Sequence, residues 1–420
     1  MGDDEEMKTA ILSVGTELLF GQIVNTNTVF LSQQMNMLGF DVMYHYTVGD
    51  NPDRVEETMK KALEECDMVI TTGGLGPTQD DLTKEIACRV MNDELVMMDD
   101  VLDEIVKYFG TLGRKMTENN RKQAIMPSRA EVFHNDAGTA PGFALENEGK
   151  YIICMPGPPR EMERMFEKSV VPFIERMSEG ALYYRIIRFF GIGESSLETE
   201  LMDMIDGQTD PTLATYAKEG ECSLRIASKR KTREEAEAAV NDMLEKVKER
   251  LGKYIFSCDD EELAEVVCKK LIDKGLTLSC AESCTGGMFA SSIVDIAGAS
   301  ECFDRGLVTY SNEAKVQELG VKEETLEKYG AVSEETALEM AEGLKSVSGS
   351  DVCVSVTGIA GPGGGTKEKP VGLVYIAVHL NGKTKVDKCN FDGNRNEIRN
   401  LATNYAINMM IKELKDNNYR

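Results

Sequence analysis

The feature that most constrains the fold is an alternation of short apolar stretches and amphipathic stretches near the start of the chain. The apolar stretches have the length of strands, and the stretches between them repeat apolar residues with a helical period. In chain order, strand-like and helix-like segments alternate at 9–14, 29–38, 41–46, 55–65 and 68–72. Such alternation predicts a parallel sheet that is covered by helices on both faces.

The pattern divides the chain into three regions. At 420 residues the chain is too long for one typical core. A further strand at 151–155 ends in the turn PGPPREM, the alternation breaks near 178–180, and a new helical segment begins near 259. We therefore expect a three-layer α/β domain at 1–172, a small α+β module at 180–256 and an α/β domain at 259–420.

Charge and composition exclude several classes of protein. The formal net charge of −25 disfavours binding to nucleic acid, whose affinity depends on clustered Lys and Arg. No apolar run approaches the roughly 18 residues that a membrane span needs. The first residues, MGDDEE, are acidic where a secretory signal is basic, and the 11 cysteines form no C-x-x-C pair of a zinc site. These features predict a protein of the reducing cytoplasm, with no nucleic acid or membrane as partner.

Two polar loops follow predicted strands in the first region. Ligands of open parallel sheets bind at the carboxyl ends of the strands, which is where both loops lie. The loop GGLGPT combines small residues, which let backbone N–H groups approach an anion, with Asp80, Asp81 and Thr83 just after it. This combination suits a phosphate or pyrophosphate with a divalent cation. A glycine-rich turn that ends in an aspartate helix cap is the alternative interpretation.

The third region contains a serine at a predicted strand-to-helix turn, in the segment SCAESCTGG. A serine nucleophile needs a base, and the chain has three histidines, of which His379 alternates with apolar residues in VYIAVHL and is expected to be structural. Lys315, in TYSNEAK, follows a strand that should end at the same edge as Ser283. A lysine acts as a base when burial lowers its pKa. Ser283 as a helix cap, Lys315 as a surface residue and Cys284 as a rival nucleophile stay open.

Four segments of the first region resemble signatures of the CinA family (competence/damage-inducible protein). They are GTELLFGQIVNTN, TTGGLGPTQDDLT, MTENNRKQA and MPGPPREM. The resemblance implies a molybdopterin-binding-like fold and a metal-dependent pyrophosphatase that acts on ADP-ribose, with Asp81 as the ligand of a divalent metal ion. The remaining pocket residues that it implies are Glu17, Asn27, Gly73, Gly74, Gly76, Thr78, Asp80 and Thr83.

The third region is similar to the C-terminal domain of CinA proteins and to the stand-alone PncC amidases. The matching segments are AESCTGG, RGLVTYSNEAK, GAVSEETA, VTGIAGPGGG, KPVG and FDGNR. The similarity implies hydrolysis of nicotinamide mononucleotide to nicotinic acid mononucleotide and ammonia, without a cofactor. The catalytic residues that it implies are Ser283, Lys315, Tyr310, Thr357 and Arg395, with Arg399 as the substitute for Arg395. The implied substrate-binding residues are Glu282, Thr285, Gly286, Gly287, Gly358 and Gly361.

The same resemblance implies a KH-like fold for the middle module and a homodimer as the assembly. The function it implies is a two-activity hydrolase of pyridine nucleotide recycling. A second hypothesis is a nucleotide- or pterin-binding regulator of competence or of the DNA-damage response, without turnover.

Overall fold

The computed structural model describes residues 7–416, except residues 112, 178–179 and 219. The packing of the chain divides it into two compact units, one that ends at Leu182 and one that begins at Tyr183. The expected middle and third domains therefore fall almost wholly within the second unit.

The first unit is built on a six-stranded sheet. The strands of this unit, six in the main sheet and two in a separate pair, are β1 (Lys8–Val14), β2 (Asp41–Val48), β3 (Met68–Thr72), β4 (Leu95–Met97), β5 (Ile125–Pro127), β6 (Glu131–Phe133), β7 (Gly142–Asn147) and β8 (Lys150–Met155). The sheet has the order β2-β1-β3-β8-β7-β6, and β4 pairs with β5 alone. Strands β1, β2, β3 and β8 run parallel, whereas β7 is antiparallel to β8 and β6. The four parallel strands end at one edge.

Helices cover both faces of this sheet. They are α1 (Thr16–Leu19), α2 (Thr26–Met37), α3 (Pro52–Glu65), α4 (Thr83–Val90), α5 (Asp99–Thr111), α6 (Pro159–Met165) and α7 (Val171–Met177). Along β1, Leu12 joins one apolar cluster with Met59 of α3, and its neighbour Ile11 joins another with Leu31 of α2. Successive residues of a strand point to opposite faces, so the sheet has a core on each side. The predicted three-layer α/β domain is confirmed.

The second unit begins with a small α+β module. Its elements are β9 (Ala181–Phe190), α8 (Glu194–Ile205), β10 (Thr212–Lys218), β11 (Glu221–Arg230), α9 (Arg233–Leu251) and β12 (Ile255–Ser257). The strands form one sheet in the order β10-β11-β9-β12. Leu197 of α8 and Val240 of α9 pack on Ile187 and Leu224 of the sheet. Both helices thus pack on the same face of the sheet, and the predicted α+β class of this module is confirmed.

The rest of the second unit is an α/β domain with a five-stranded sheet. Its strands are β13 (Leu278–Glu282), β14 (Phe303–Val308), β15 (Val352–Gly358), β16 (Leu373–Leu380) and β17 (Lys383–Asn390). Its helices are α10 (Leu263–Lys274), α11 (Met288–Val294), α12 (Asn312–Leu319), α13 (Glu323–Tyr329), α14 (Glu334–Ser348) and α15 (Arg395–Asp416). The sheet has the order β14-β13-β15-β16-β17.

The topology of this sheet determines where its loops meet. Strands β13, β14 and β15 run parallel, and β16 and β17 are antiparallel to their neighbours. The carboxyl ends of β14, β13 and β15 therefore lie side by side at one edge. Apolar clusters occupy both faces, with Val267 and Ile407 on one and Met340 and Leu344 on the other. The predicted α/β class of this domain is confirmed.

Two observations bear on the environment of the chain. All 11 cysteines are unpaired, and every one but Cys258 is buried. Among the helices of the described part of the chain, none combines the length and the apolar character that crossing a lipid bilayer requires.

Candidate active sites

Ser283 and Lys315 meet at the carboxyl edge of the five-stranded sheet. Ser283 directly follows β13, and its N–H donates to the carbonyl of Val356 in β15 at 2.9 Å. Lys315 lies on α12, whose first turn is capped by the hydroxyl of Ser311. The Nζ atom of Lys315 lies 3.1 Å from the Oγ atom of Ser283. The pair that the sequence proposed is thus within hydrogen-bond distance.

The surroundings of Lys315 favour the neutral amine. Its side chain has no exposed surface, and this burial lowers the pKa of the amine from its ordinary value of 10.5. Besides Ser283, Nζ contacts the carbonyl oxygens of Thr309 at 2.8 Å and Tyr310 at 3.3 Å. A neutral amine has two N–H donors and one lone pair, and a carbonyl can only accept. In the neutral form, the two carbonyls take the two N–H groups and the lone pair is left for the hydroxyl of Ser283, whereas the ammonium form donates to all three oxygens.

The turn after Ser283 is fixed by the carboxylate of Glu282. This side chain is 1% exposed and accepts hydrogen bonds from the N–H groups of Gly287 at 2.9 Å, Phe289 at 3.1 Å and Ala290 at 2.9 Å. Glu282 was expected to bind substrate. Because its oxygens are turned toward the backbone, it instead holds the turn and the start of α11 in place. Gly286 and Gly287, with φ of 61° and 97°, supply the left-handed backbone that the turn needs.

Two buried threonines border the serine. The hydroxyl of Thr357, which is 1% exposed, donates to the carbonyl of Ala331 at 2.7 Å and so ties the end of β15 to the loop before α14. The side chain of Thr285 has no exposed surface, and its hydroxyl has no hydrogen-bond partner within the described residues. Thr357 therefore positions a loop, and Thr285 offers an unused hydroxyl beside the turn.

Tyr310 and Arg395 form the outer part of the site. Tyr310 is 63% exposed, and its hydroxyl lies 3.4 Å from Nη2 of Arg395. Nη1 of Arg395 donates to the carbonyl of Gly361 at 2.7 Å. A Cβ atom at Gly361 would lie 2.6 Å from Val371, and one at Gly358 would lie 2.8 Å from the carbonyl of Leu373. Close packing thus accounts for both glycines, which the sequence assigned to substrate binding.

Arg399, which the sequence analysis gave as the substitute for Arg395, does not lie in the outer part of the site. Its Nε donates to the carbonyl of Cys284 at 3.2 Å, and its Nη2 donates to the carbonyl of Thr285 at 2.7 Å. It contacts the turn after Ser283 rather than the outer part of the site, so it does not replace Arg395. The sequence indicated a role for Arg399 in one way only. It lies one helical turn after Arg395, which places both arginines on one face of α15.

Cys284 and His379, the alternatives to Ser283 and Lys315, lie in surroundings that suit a structural role. The thiol of Cys284 is 6% exposed, and burial raises its pKa to about 11, so it is protonated at neutral pH and a poor nucleophile. His379 lies on β16, where its Nδ1 pairs with Thr384 Oγ1 at 2.8 Å and burial lowers its pKa. Neither residue bonds to Lys315 or Ser283 among the hydrogen bonds of the described chain.

In the first unit, the glycine-rich loop follows β3 and ends at α4. Gly74 has φ of 70°, and a Cβ atom there would overlap Oγ1 of Thr83, the first residue of α4. A Cβ atom at Gly73 would overlap the carbonyl of Val14, and one at Gly76 would overlap the carboxylate of Asp81. Side chains at these positions would displace the loop. The hydroxyl of Thr83 is buried and has no partner in the described part of the chain.

The aspartates of this loop provide oxygen donors, but not a preformed metal centre. One carboxylate oxygen of Asp81 accepts from the N–H of Thr78 at 2.9 Å and from its hydroxyl at 2.5 Å. Asp80 is exposed, and a hydrogen bond from Thr78 lowers its pKa. Within the described residues, no three His, Cys, Asp or Glu side chains converge. Mg²⁺ is usually held by one or two carboxylates together with substrate phosphates, and this donor set fits that mode.

Glu17 and Asn27 line a cleft at the ends of β1 and β3. The Nδ2 atom of Asn27 donates to Thr72 Oγ1 at 2.8 Å and to the carbonyl of Gly157 at 2.7 Å. The Oδ1 atom of Asn27 is buried without a partner among the described residues, so the side chain keeps one acceptor unused. The cleft is lined by Val14, Glu17, Leu18, Ile23, Val24, Asn25, Thr26, Asn27, Thr72, Gly157 and Pro159.

Two lysines at the glycine-rich loop were not assigned from the sequence. Lys122 Nζ donates to the carbonyls of Thr78, at 3.1 Å, and Asp81, and it lies 3.4 Å from Glu85. The Nζ atom of Lys84 donates to the carbonyl of Lys122 at 2.5 Å. Burial lowers the pKa of Lys84 to about 8. The segment MTENNRKQA, which contains Lys122, was recognised as a signature without a role for its residues, and the structure places it against the loop.

Comparisons with known protein families match all three regions. The model of the probable molybdopterin binding domain matches residues 10–176, that of the damage-inducible protein CinA KH domain matches 184–257, and that of the CinA C-terminal domain matches 260–414.

Relatives of the whole chain are also known. A protein of Acetivibrio thermocellus named as a competence-damage inducible protein is 48% identical over 96% of this chain and 98% of its own length. A CinA-like protein of Kosmotoga olearia is 48% identical over 97% of this chain and 99% of its own length. Among solved structures, the competence/damage inducible protein of Agrobacterium tumefaciens is 47% identical over 36% of this chain and 93% of that chain, with a TM-score of 0.36.

Proposed function

The chain belongs to the CinA family, and from that premise we propose that its third domain hydrolyses the carboxamide of nicotinamide mononucleotide, which yields nicotinic acid mononucleotide and ammonia. The observation that carries the proposal is the fully buried Lys315 amine, 3.1 Å from the hydroxyl of Ser283. The choice of substrate rests on the resemblance of this domain to amidases that act on this nucleotide.

The proposed chemistry follows from a neutral Lys315 amine within hydrogen-bond distance of the Ser283 hydroxyl. Neutral Lys315 accepts the proton of Ser283 while Oγ attacks the carboxamide carbon, and the carbonyl oxygen becomes an oxyanion. When the C–N bond breaks, the Lys315 ammonium returns its proton to the leaving nitrogen, and ammonia departs from an acyl-serine ester. Water then attacks the ester, gives a proton to Lys315 and releases the carboxylic acid, and the proton on Lys315 returns to Ser283. No histidine or metal ion is needed for this sequence.

Arg395 and Tyr310 support a nucleotide as the substrate. Arg395 is exposed at the mouth of the site and pairs there with the carbonyl of Gly361 and with the hydroxyl of Tyr310. Arginine keeps its charge at all relevant pH values and has several donors for a phosphate. In a chain with a net charge of −25, this local positive charge favours an anionic ligand at this position.

The experiment measures ammonia release from nicotinamide mononucleotide by the full chain. Ser283→Ala and Lys315→Met should abolish release, and the exposed residues Ser291 and Lys383 provide the matched controls Ser291→Ala and Lys383→Met, which should not change it. A folded wild-type protein that releases no ammonia would contradict the amidase. Binding of the nucleotide without turnover would then support the non-catalytic regulator instead.

For the first unit we also propose metal-dependent hydrolysis of the pyrophosphate of ADP-ribose. Three features support an anionic, hydroxyl-bearing ligand: the glycine-rich loop, the unused acceptor Oδ1 of Asn27 and the unused hydroxyl of Thr83. Asp80 and Asp81 are the residues that would hold a divalent cation, which would neutralise phosphate charge when bound. Lys122 fixes the loop through the carbonyls of Thr78 and Asp81.

The test of this second activity compares AMP formation from ADP-ribose with Mg²⁺ and with a chelator, in wild type and in Asp81→Ala. Cleavage that persists in the chelator or in the variant would contradict the role of the metal or of Asp81. Absence of cleavage with retained binding of the nucleotide would favour a sensor. We further propose that the protein works in the cytoplasm and that it forms a homodimer. Light scattering on the purified chain tests the homodimer.

A further inference from the structure

Arg399 donates hydrogen bonds to two successive peptide groups of the turn that follows Ser283. Its Nε donates to the carbonyl of Cys284 at 3.2 Å, and its Nη2 donates to the carbonyl of Thr285 at 2.7 Å. The planar fork of arginine can hold two neighbouring acceptors in a fixed geometry, which the single amine of lysine cannot do. Arg399 therefore fixes the orientation of two consecutive peptide planes.

The orientation of those planes determines where their N–H groups point. In a planar trans peptide the C=O and N–H bonds point in opposite directions. The carbonyls of Cys284 and Thr285 face Arg399, so the N–H groups of the same peptides, which belong to Thr285 and Gly286, face the other side of the turn. The guanidinium charge also polarises both peptides and makes their N–H groups stronger donors.

The N–H groups at the two ends of the turn, those of Ser283 and Gly287, have oxygen partners in the protein. The N–H of Ser283 donates to Val356, and that of Gly287 donates to the carboxylate of Glu282. The turn is thus held from two sides, by Glu282 through an N–H group and by Arg399 through carbonyls. Within the described residues, the N–H groups of Cys284, Thr285 and Gly286 donate to no backbone carbonyl, and those of Cys284 and Thr285 face the thiol of Cys284.

We infer that Arg399 is a positioning residue that holds the N–H groups of Thr285 and Gly286 as the oxyanion hole of the amidase. Attack by Ser283 turns a carbonyl oxygen into an oxyanion, and two preoriented peptide N–H groups close to the nucleophile stabilise that charge without reorganisation. The inference rests on the proposed function for its substrate, but its geometry concerns any acyl or phosphonyl group that reacts with Ser283. Arg395 contacts the outer part of the site. Arg399 instead stabilises the transition state indirectly, because it orients the peptide groups whose N–H groups bind the oxyanion.

The test uses Arg399→Lys and Arg399→Met in the full chain, with Lys388→Ala as a control that removes an exposed positive charge of the same domain. The first readout is steady-state deamidation of nicotinamide mononucleotide. We expect kcat to fall about 10- to 100-fold in both variants with little change in KM, since the interaction is made in the transition state. The pH at which kcat/KM rises should not move, because Lys315 is unchanged. A raised KM with normal kcat would overturn the inference and make Arg399 a substrate ligand.

The second readout does not depend on the natural substrate. A fluorophosphonate reacts with an activated serine through a transition state whose oxygen occupies the oxyanion hole. It should label wild type at Ser283, should not label Ser283→Ala, and should label both Arg399 variants at least tenfold more slowly. Normal labelling of folded Arg399→Lys and Arg399→Met overturns the inference, as does a wild type that is not labelled. Labelling of wild type without deamidation would contradict the proposed substrate alone.

Discussion

Nζ of Lys315 and Oγ of Ser283 are 3.1 Å apart, and the other two contacts of Nζ are backbone carbonyls. A pair that shares one proton works as a unit, so the loss of either member should remove the whole effect. We expect Ser283→Ala and Lys315→Met each to lower kcat about 10³-fold or more. The double variant should be no slower than the slower single variant. Ammonia release from purified proteins measures this, and additive losses would contradict a shared role.

The pH dependence of the amidase should follow the amine of Lys315. The amine is active when neutral, and burial lowers its pKa from 10.5. We therefore expect kcat/KM to rise with pH and to level off below 10.5, because deprotonation creates the base. In Lys315→Arg the rise should be absent. A rate that falls as the pH increases through this range would contradict a neutral lysine as the base.

Cys284 should be dispensable for turnover. Its thiol is buried beside Ser283, and its pKa is raised to about 11, so almost no thiolate is present at neutral pH. We expect Cys284→Ala to keep activity within a few-fold of wild type, and iodoacetamide at pH 7.5 to leave the wild-type amidase active. A loss as large as that of Ser283→Ala would make the thiol the nucleophile.

Glu282 should act on stability as well as on activity. Its buried carboxylate accepts three backbone N–H groups, and Glu282→Gln would place an amide donor against them. A buried donor without a partner costs about 1–3 kcal/mol, and charged hydrogen bonds are lost as well, so we expect a loss of about 3 kcal/mol. Urea unfolding of the variant, with exposed Glu324→Gln as control, measures it. An unchanged midpoint would contradict the capping role.

Because of Lys84, the free energy of unfolding of the first unit should change with pH in the alkaline range. Its pKa is about 8 in the folded chain and near 10.5 when unfolded, so between these values the unfolded chain binds more protons. Stability relative to Lys84→Met should therefore rise with pH across this window, by about 3 kcal/mol in total. Urea unfolding at pH 7.5 and 10.5 tests this, with exposed Lys107→Met as control. A difference that stays constant would contradict the lowered pKa.

The sequence predicted the pairing of Ser283 with Lys315 because both residues lie in loops that directly follow predicted strands. A serine after β13 and a lysine after β14 must approach each other when the strands are parallel neighbours. The resemblance to a family supplied the substrate that we propose and the roles that we propose for Arg395 and Tyr310. The alternation of apolar segments predicted the covered parallel sheet of the first region, and the resemblance to the family supplied the molybdopterin-binding-like and KH-like folds.

The contacts of Glu282 and Arg399 could not be obtained in the same way. Whether a carboxylate beside a nucleophile faces the ligand or the backbone depends on the path of the turn, and that path is set by two left-handed glycines and by α15, over 100 residues further on. Lys84 and Lys122 were missed for a related reason. Lys84 is buried and bonds to the carbonyl of Lys122, 38 residues away, and Lys122 bonds to the carbonyls of Thr78 and Asp81, 44 and 41 residues away, so no local pattern encodes these contacts.

The burial of Lys315 also protects it chemically. Lowering the pKa of a lysine increases the share of free amine, which is the form that cyanate, carbon dioxide and acylating metabolites modify. A surface lysine with this pKa would be among the first in the protein to be carbamylated. Because Lys315 has no exposed surface and three hydrogen-bonded neighbours around its nitrogen, we expect the amine to be shielded from these electrophiles while it stays in contact with Ser283.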